Sequence, residues 1–181
     1  MQKRLLLHSK QFEIALSRLC CQLIENHNDF SGSAIIGLQP RGIFAAKRIH
    51  SRLCQLLKNN NILLGSLDVT FHRDDFRRRD MVIPSATQLD FIIEGKRVIL
   101  VDDVLYTGRT IRAGMDALLD YGRAEKIELL TIVDRRYSRQ LPIEADYIGI
   151  SIDSISSQKV KVQWNETDAE DSIWLLTENQ T

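Results

Sequence analysis

The sequence is poor in cysteine and contains no long apolar run. Its three cysteines, Cys20, Cys21 and Cys54, are an odd number without metal-ligand spacing, so neither a disulfide framework nor a cysteine metal site is predicted. No segment is apolar for long enough to cross a membrane. The apolar residues at positions 5–7 are too few for the core of a signal peptide. We therefore expect a cytoplasmic protein with no membrane segment.

An excess of one charge is also missing. Lys and Arg together number 24, and Asp and Glu together number 24, which gives a formal net charge of zero. This balance predicts no strong general attraction to nucleic acid, although a local basic surface stays open. The 181 residues contain no internal repeat and no linker, and 44% of them are hydrophobic. We therefore expect one folded domain that spans residues 1–181.

Two common nucleotide-binding motifs are absent as well. The sequence has no Gly-Lys-Ser/Thr of a P-loop, and the segment 98–110 has a single glycine, unlike a dinucleotide fingerprint. This segment nevertheless carries the strongest signal in the chain. Val98 to Val101 form a short apolar run, which is typical of a parallel strand buried on both faces. Asp102 and Asp103 follow at the predicted carboxyl end of that strand.

A turn and a helix come directly after the two aspartates. Tyr106 to Thr110 form a small turn with hydroxyl groups and one glycine. Apolar residues then recur at helical spacing as far as Gly122, which is placed to end the helix. A helix N-terminus has unpaired N–H groups and the positive end of a dipole, so it can hold a phosphate. Thr107 and Arg109 can add a hydroxyl donor and a positive charge to such a site.

The same arrangement suits a sugar phosphate. Gly108 lets the backbone approach a ligand closely, and ionised Asp102 and Asp103 can accept hydrogen bonds from neighbouring hydroxyl groups, as on a ribose. Open α/β sheets bind ligands at the carboxyl ends of their strands. The alternative is that Asp103 is an ordinary turn or cap residue between a strand and a helix. The combination of strand, acidic pair and Thr-Gly-x-Thr turn favours the ligand site.

The segment closely resembles the PRPP-binding motif of type I phosphoribosyltransferases, where PRPP is 5-phospho-α-D-ribose 1-diphosphate. Continued to Leu118, it resembles in particular the PyrR family, which comprises regulators of pyrimidine operons with uracil phosphoribosyltransferase activity. The resemblance implies an α/β fold with a mostly parallel central sheet, flanking helices and a small hood. It also implies that PRPP is bound by Val98, Ile99, Leu100, Val101, Asp102, Asp103, Val104, Leu105, Tyr106, Thr107, Gly108, Arg109 and Thr110.

A second strand, turn and helix unit lies nearer the N-terminus. After a first helix from Ser9 to about Asn26, the pattern predicts a buried strand over Ala34–Leu38, a turn, and a helix from Ile43 to about Lys58. Taken alone, the turn could be an ordinary connection with a surface arginine. The resemblance implies that it is the pyrophosphate loop, where a proline replaces the threonine that PyrR proteins often have and removes one N–H donor. Its residues are Pro40, Arg41 and Gly42.

The middle of the chain is dense in charge. One strand is expected over residues 62–71, and a charged loop follows over residues 72–80. This loop could be solvated surface. The resemblance implies a lid that closes over the substrate and supplies Arg73 to the leaving pyrophosphate. A further short strand is predicted over residues 89–93.

The last third contributes the expected base site. Residues 126–133 form a predicted strand, and the resemblance places its exit beside uracil, together with the backbone near an alternating edge strand at 160–162. The residues implied are Asp134, Arg135 and Val160. Without the resemblance, Asp134 and Arg135 would be a routine surface pair. The acidic residues at 166–171 could bind a cation, but we expect a turn and a solvated helix face.

The implied reaction converts uracil and PRPP into UMP and pyrophosphate. Catalysis would rest on positioning and electrostatic stabilisation. The catalytic candidates are Asp102, Asp103 and Arg73. Either aspartate could assist the proton transfer. Mg²⁺ is the implied cofactor, bound mainly by substrate oxygens and water, and no protein metal cluster is predicted. Family members associate as homodimers or larger assemblies. An enzyme for another base is an alternative, because the PRPP motif does not read the base.

A regulator that binds messenger RNA when UMP is bound is the second alternative, with little or no catalysis. RNA binding needs a basic surface, and the candidates are Arg18, Lys47, Arg136 and Arg139. Several departures weaken this interpretation. Glu13, Ile14, Cys21 and Glu144 stand where some PyrR attenuators have basic residues, and the loop at 136–139 is one residue longer.

Overall fold

The computed structural model describes residues 2–72, 86–155 and 157–177. Its elements fall into two sheets and three helices. The strands are β1 (Gln2–Leu7), β2 (Ser33–Leu38), β3 (Leu63–Leu67), β4 (Arg97–Leu105), β5 (Lys126–Arg136), β6 (Tyr147–Asp153), β7 (Gln158–Gln163) and β8 (Ser172–Thr177). The α-helices are α1 (Ser9–His27), α2 (Gly42–Leu57) and α3 (Arg109–Leu118).

The larger sheet has five parallel strands in the spatial order β3-β2-β4-β5-β6. Its central strand β4 pairs with β2 through Ile36 and Leu100, and with β5 through Val101 and Leu130. Since all five strands run the same way, their carboxyl ends lie at one edge of the sheet. Open α/β sheets bind ligands at that edge.

Helices cover both faces of the larger sheet, which is why β4 is apolar without interruption. Ile99 and Val101 pack with α1 and α2 in one core cluster. Val98 and Leu100 point to the other face and pack with α3 in a second cluster. Neighbouring residues on a strand point to opposite faces, so this alternation follows from the strand geometry.

The smaller sheet is antiparallel, with strand order β1-β8-β7. Its residues Val162, Ile173 and Leu175 are buried in the same core cluster as α1 and α2. Trp164, which follows β7, is 0% exposed and packs 5.1 Å from the ring of Phe12, centroid to centroid. The N-terminal strand and the last two strands thus form the small hood that was expected beside the main sheet.

The predicted architecture is confirmed, and several element predictions are corrected. The strand expected over residues 62–71 ends at Leu67, and a 3₁₀ turn follows over Thr70–His72. Residues 89–93 form no strand, and only an isolated bridge joins Gln88 to Ser66. The third helix ends at Leu118, before a 3₁₀ turn that leads to Gly122.

Other expectations concern segments near the ends of the chain. The acidic residues at 166–171 lie in turns and not on a helix face. Strands β1, β6 and β8 had not been predicted. The charged loop at 72–80, with Arg73, lies outside the described residues except for His72. Among the described helices, none combines the length and the apolar character that a membrane span requires.

Candidate active site

The predicted site residues meet at the carboxyl edge of the larger sheet. β2 ends at Leu38 and leads through residues 39–41 into α2, while β4 ends at Leu105 and leads through residues 106–108 into α3. Two helix N-termini therefore flank the end of the central strand. Val98 to Val101 are 0% exposed and lie in the body of β4, so their side chains form core and only the later part of the predicted segment borders the edge.

Asp103 contacts the turn that follows β2. Its Oδ2 atom accepts a hydrogen bond from Arg41 Nε at 2.9 Å, and Arg41 also donates to the backbone oxygen of Val162 in β7. One arginine thus joins the central strand to the hood. The neighbouring Asp102 accepts a hydrogen bond from the backbone N–H of Asp103 at 2.9 Å.

Both aspartates are 8% exposed, so their charge is enclosed by protein. Burial raises the pKa of Asp103 above its ordinary value, and the hydrogen bond and charge of Arg41 oppose this rise. While it is ionised, a carboxylate in this setting only accepts hydrogen bonds, which suits a ligand hydroxyl.

Gly42 allows the first turn of α2 to press against β4. A Cβ atom at this position would lie 2.3 Å from the backbone oxygen of Val101 and 2.9 Å from Cα of Asp102. These atoms are backbone and cannot move aside cheaply. Any other residue would push Arg41 away from the end of β4.

Gly108 shapes the second turn. Its φ of +89° lies in the left-handed region, which L side chains rarely adopt, and it is the N-cap of α3. The Oγ1 atom of Thr107 accepts a hydrogen bond from Arg109 N at 3.4 Å, and Arg109 Nε donates to Gln140 Oε1 at 2.7 Å. The turn therefore presents a helix N-terminus at the sheet edge, where backbone N–H groups can bind an anion.

Arg135 lies at the end of β5 beside this turn. It is 4% exposed and donates to Ser154 Oγ at 2.8 Å and to the backbone oxygen of Gln158 at 2.8 Å. Its guanidinium carbon lies 3.8 Å from the centre of the Tyr106 ring, which is cation–π geometry. Burial lowers the pKa of Arg135 from its ordinary value.

A cavity of about 680 Å³ opens next to the Tyr106 and Arg135 pair. Its walls come from residues 137–140, from the segment 153–155 and from Gln158 at the start of β7. Val160 lies two residues further along β7 and is half-buried. Asp134 forms an ion pair with Arg139. Arg135 contacts Tyr106, Ser154 and Gln158 of the cavity wall, but Asp134, Arg135 and Val160 are not themselves lining residues of the cavity.

The arginines considered for RNA binding are largely engaged within the chain. Arg18 donates to the backbone oxygen of Ile148 at 2.9 Å and also to that of Gly149. Arg136 forms a half-exposed ion pair with Asp153 at 2.8 Å. Arg139 donates to several backbone oxygens around the site, so its place is structural and not on an open surface.

Sequence reasoning missed three features of the site. The Gln39 side chain donates to Ser66 Oγ at 3.0 Å and to the backbone oxygen of Ala86 at 2.8 Å, which fixes the turn after β2. The stacking of Arg135 on Tyr106 and the link from Arg41 to β7 were also not predicted. Each is a contact between segments far apart in sequence, and no local pattern signals it.

The described residues contain no group of three or more His, Cys, Asp or Glu side chains placed to hold a metal ion. Asp103 pairs with Arg41, the N-cap residue of α2, and Asp102 is the neighbour of Asp103 on β4. A cation at this edge would therefore need further ligands from a substrate or from water.

Comparisons with known proteins agree with this geometry. Residues 4–167 match a protein family described as phosphoribosyl transferase domain. The chain is 41% identical over 175 residues to Bifunctional protein PyrR of Bacillus subtilis (strain 168), covering 95% of this chain and 96% of that protein. It is 39% identical over 178 residues to Bifunctional protein PyrR of Elusimicrobium minutum (strain Pei191), covering 98% of each.

Solved structures show the same fold at low sequence identity. A hypoxanthine phosphoribosyltransferase from Staphylococcus aureus superimposes with a TM-score of 0.68 at 18% identity, covering 97% of this chain and 93% of that one. A hypoxanthine-guanine phosphoribosyltransferase from Bacillus anthracis gives a TM-score of 0.68 at 16% identity, covering 98% and 100%. The chain therefore has the type I phosphoribosyltransferase fold.

Proposed function

We propose that this chain, which belongs to the PyrR family and carries a phosphoribosyl transferase domain, is a uracil phosphoribosyltransferase. It transfers the 5-phosphoribosyl group of PRPP to uracil and forms UMP and pyrophosphate. The observation that carries the proposal is the convergence of Asp103, Arg41 and the turn at residues 106–110 at one sheet edge. We further propose that residues 1–181 act as one such domain.

The turn at residues 106–110 takes the 5′-phosphate of PRPP. Gly108 opens the backbone at the start of α3, and the helix dipole and the backbone N–H groups of a helix N-terminus favour an anion there. The hydroxyl groups of Thr107 and Thr110 and the charge of Arg109 add to this attraction. No carboxylate of the site lies within the turn itself.

Asp102 and Asp103 hold the ribose hydroxyl groups, and the turn at Pro40, Arg41 and Gly42 takes the pyrophosphate. Arg41 pairs with Asp103. When pyrophosphate oxygens attract Arg41, the carboxylate of Asp103 is released to accept hydrogen bonds from the ribose. The Arg73 contribution to the leaving group is proposed from the sequence alone, since Arg73 lies outside the described residues.

Uracil lies at the opening between the main sheet and the hood. Asp134 and Arg135 close β5 on one side, and the backbone near Val160 of β7 lies on the other. The opening of about 680 Å³ is large enough for a pyrimidine ring. Tyr106 offers an aromatic face near it, stacked on Arg135.

Mg²⁺ is the proposed cofactor, held mainly by PRPP oxygens and water. The buried carboxylates of Asp102 and Asp103 are oxygen ligands of the kind that Mg²⁺ prefers, and they fit a site with few protein ligands. The ion supplies charge neutralisation for the leaving pyrophosphate. The chain itself orients the ribosyl carbon between the base and the leaving group, which is catalysis by positioning and electrostatics.

Product formation from labelled PRPP with uracil, guanine and hypoxanthine tests this proposal directly. We expect UMP and pyrophosphate in equal amounts with uracil, and kcat/KM for the two purines lower by at least about a hundredfold, since the wrong base leaves polar groups of the site unpaired. Equal or faster reaction with a purine would overturn the choice of uracil. Absence of turnover with every base would overturn the enzyme.

Regulation by RNA binding is a second candidate, favoured by the relatives at 38–41% identity that are named bifunctional PyrR proteins. In this candidate the chain binds a pyrimidine-operon messenger RNA when UMP is present, with the half-exposed Arg136 on the RNA side. Arg18 and Arg139, the other arginines expected there, donate to backbone oxygens of the chain. A gel shift with pyrimidine leader RNA on the same preparation tests it. A shift that depends on UMP supports the regulator, and its absence opposes it.

The proposed setting of the enzyme follows from its substrates. PRPP, uracil and UMP are small metabolites, and we propose that the protein acts on them in the cytoplasm. We also propose that it works as a homodimer or a larger homo-oligomer, as expected from the family resemblance. Sedimentation of the purified chain measures this state.

A further inference from the structure

We infer that Arg139 is a positioning residue that fastens the phosphate-binding turn to the end of β5. This inference rests on the proposed function, because that proposal assigns residues 106–110 to the 5′-phosphate. From the sequence, Arg139 was a candidate for contact with RNA. The structure places its guanidinium group beneath the turn instead, among backbone oxygens of three segments.

All three nitrogen atoms of the Arg139 guanidinium group donate to oxygen atoms of the chain. Its Nε atom donates to the backbone oxygen of Ile143 at 3.0 Å. Its Nη1 atom donates to the backbone oxygens of Leu105 and Tyr106, at the end of β4, and to that of Arg135 in β5 at 3.1 Å. Its Nη2 atom pairs with the carboxylate of Asp134. One side chain therefore holds the exits of β4 and β5 together.

The backbone next to Arg139 reinforces the same turn. Gln140 N and Leu141 N both donate to the backbone oxygen of Thr107, at 3.0 and 3.2 Å. The Gln140 side chain accepts from Arg109 Nε at 2.7 Å. A Cβ atom at Gly108 would lie 3.2 Å from Ile143 Cδ1, so the segment 139–143 packs directly along the turn.

This geometry assigns Arg139 an indirect role. Its side chain is 24% exposed, and its donors are directed to protein acceptors, so it does not need to touch a ligand to affect binding. Arginine suits the position because its planar group has five fixed donors, whereas lysine has a single ammonium on a flexible chain. Without the hydrogen bonds of Arg139, the N–H groups at the start of α3 lose the fixed orientation that a phosphate requires. Small displacements of a positioned binding group can weaken its interaction with the ligand strongly.

The test compares ligands that differ by the phosphate group alone. Calorimetry measures the binding of UMP and uridine, and of ribose 5-phosphate as a probe that does not depend on the base. The variants are Arg139→Ala and Arg139→Lys, and Arg123→Ala is the matched control, an exposed arginine in the loop before the amino end of β5. Thermal melts confirm that each variant is folded.

For Arg139→Ala we expect the affinity for UMP and for ribose 5-phosphate to fall at least about tenfold, since the phosphate N–H groups are no longer aligned. The affinity for uridine should fall less than that for UMP, because Tyr106 lines the proposed base opening and Asp134 pairs with Arg139 beside it, whereas the phosphate contacts lie in the turn itself. KM for PRPP should rise more than kcat falls. Arg139→Lys should remain folded and still show a loss of about fivefold, because it keeps the charge but not the planar set of donors. Arg123→Ala should match the unmodified protein.

The other outcomes separate the two proposals. Unchanged UMP and ribose 5-phosphate affinity in folded Arg139→Ala overturns the positioning role alone. Equal losses for UMP and uridine also overturn it, because they indicate general damage to the site. Full recovery in Arg139→Lys overturns it in favour of simple charge attraction. An unmodified protein that binds none of the phosphorylated ligands overturns the proposed function and this inference with it.

Discussion

Asp103 combines burial with an arginine partner, and this combination determines how the residue should respond to substitution. The amide in Asp103→Asn has nearly the same shape, and Arg41, whose side chain is 39% exposed, can turn to water, so the fold should persist. The neutral amide cannot accept hydrogen bonds from two ribose hydroxyls as a carboxylate can. We expect kcat/KM for PRPP to fall about 10²- to 10³-fold, as for the loss of a transition-state contact.

Steady-state kinetics with Asp116→Asn as control checks this expectation. Asp116 is an exposed carboxylate on α3 that pairs with Arg112, so its loss should leave kcat/KM unchanged. The pH profile gives a second measurement. Because burial raises the pKa of Asp103, the residue becomes protonated as the pH falls, at a pH above the ordinary 3.8. Activity should fall with that protonation, and Asp103→Asn should lack this acid limb. An unchanged kcat/KM in Asp103→Asn contradicts the ribose assignment.

At the residue scale, the sequence predicted what a local segment can encode. The strand, acidic pair and turn at 98–110 are contiguous, and Gly108 indeed has the positive φ that a glycine turn suggests. The role of Gly42 was only partly predictable. Its missing side chain matters because the first turn of α2 meets the backbone of Val101 and Asp102, more than fifty residues later in the chain. Such a contact exists only once two strand-helix units dock.

A buried polar cluster lies at the amino edge of the larger sheet, opposite the edge that holds the candidate site. Side chains from β4, β5, β6 and α1 meet in this cluster. Glu128 of β5 is 3% exposed and pairs with Arg97 of β4 at 3.1 Å and with Lys126 at 2.9 Å. His27, at the end of α1, lies 3.3 Å from Glu128, and Tyr147 of β6 donates to it at 3.2 Å. Four elements are therefore tied together by one carboxylate.

We expect Glu128→Gln to lower the free energy of unfolding by about 2 kcal/mol at pH 7.5, because buried donors lose a charged acceptor. A change of this size corresponds to roughly 5 °C in Tm for a chain of this length. Differential scanning calorimetry measures it, and Glu125→Gln, an exposed neighbour on the same approach to β5, is the control. A Tm within about 1 °C of the unmodified protein would contradict a stabilising role for the cluster.

The pH dependence of this stability has a definite sign. Burial acts to raise the pKa of Glu128, but the Lys126 hydrogen bond and the nearby positive charges lower it overall below 4.5. A lowered pKa contributes stability above the unfolded value, which is lost as the pH falls through the folded value. The difference in Tm between Glu128→Gln and the unmodified protein should therefore narrow below pH 4.5. Burial also lowers the pKa of His27 below 6.5, so protonation of this histidine as the pH falls below 6.5 favours the unfolded state.

At the scale of elements, helices were predicted where apolar residues recur at helical spacing, and buried strands where apolar residues form a short run. The helices α1 and α2 and the strand β2 were expected close to their observed bounds, whereas β4 and β5 continue to Leu105 and Arg136, past their predicted ends at Val101 and Val133. The strands β1, β6 and β8 were missed, and one of their pairings joins segments far apart in sequence. In that pairing, β1 lies beside β8 near the other end of the chain. The sequence predicted that α1 ends at about Asn26, but it did not indicate that His27 belongs to the buried polar cluster around Glu128.

The whole molecule consists of a main sheet and a hood, and the candidate site lies where they meet. Arg41 reaches Val162 of the hood, and the walls of the base opening come from both parts. The relative placement of the two sheets therefore decides the shape of the site. It could not be predicted from the sequence, because the residues that join the sheets have no shared local pattern.

Arg48 of α2 also joins the main sheet to the hood. Its guanidinium group pairs with Asp171 at 2.7 Å and with Glu166 at 2.6 Å, both in the segment between β7 and β8. It also lies 5.1 Å from the centre of the Trp164 ring. Burial would raise the pKa of Asp171, but the hydrogen bond from Arg48 holds it below its ordinary value. The arginine thus compensates a buried charge as well as linking α2 to the hood.

We expect Arg48→Ala to lower the free energy of unfolding by about 3 kcal/mol, because Asp171 remains buried without its partner. For this chain length the Tm should fall by roughly 6–12 °C. KM for uracil should rise more than KM for PRPP, because the hood carries Val160 while the turn at 106–110 belongs to the main sheet. Arg52→Ala, one turn later on α2, removes an arginine that pairs with Glu13 and donates to Ser17, both on α1. In this control the ratio of the two KM values should not change. Equal increases in both KM values for Arg48→Ala would show that the hood does not set the base site.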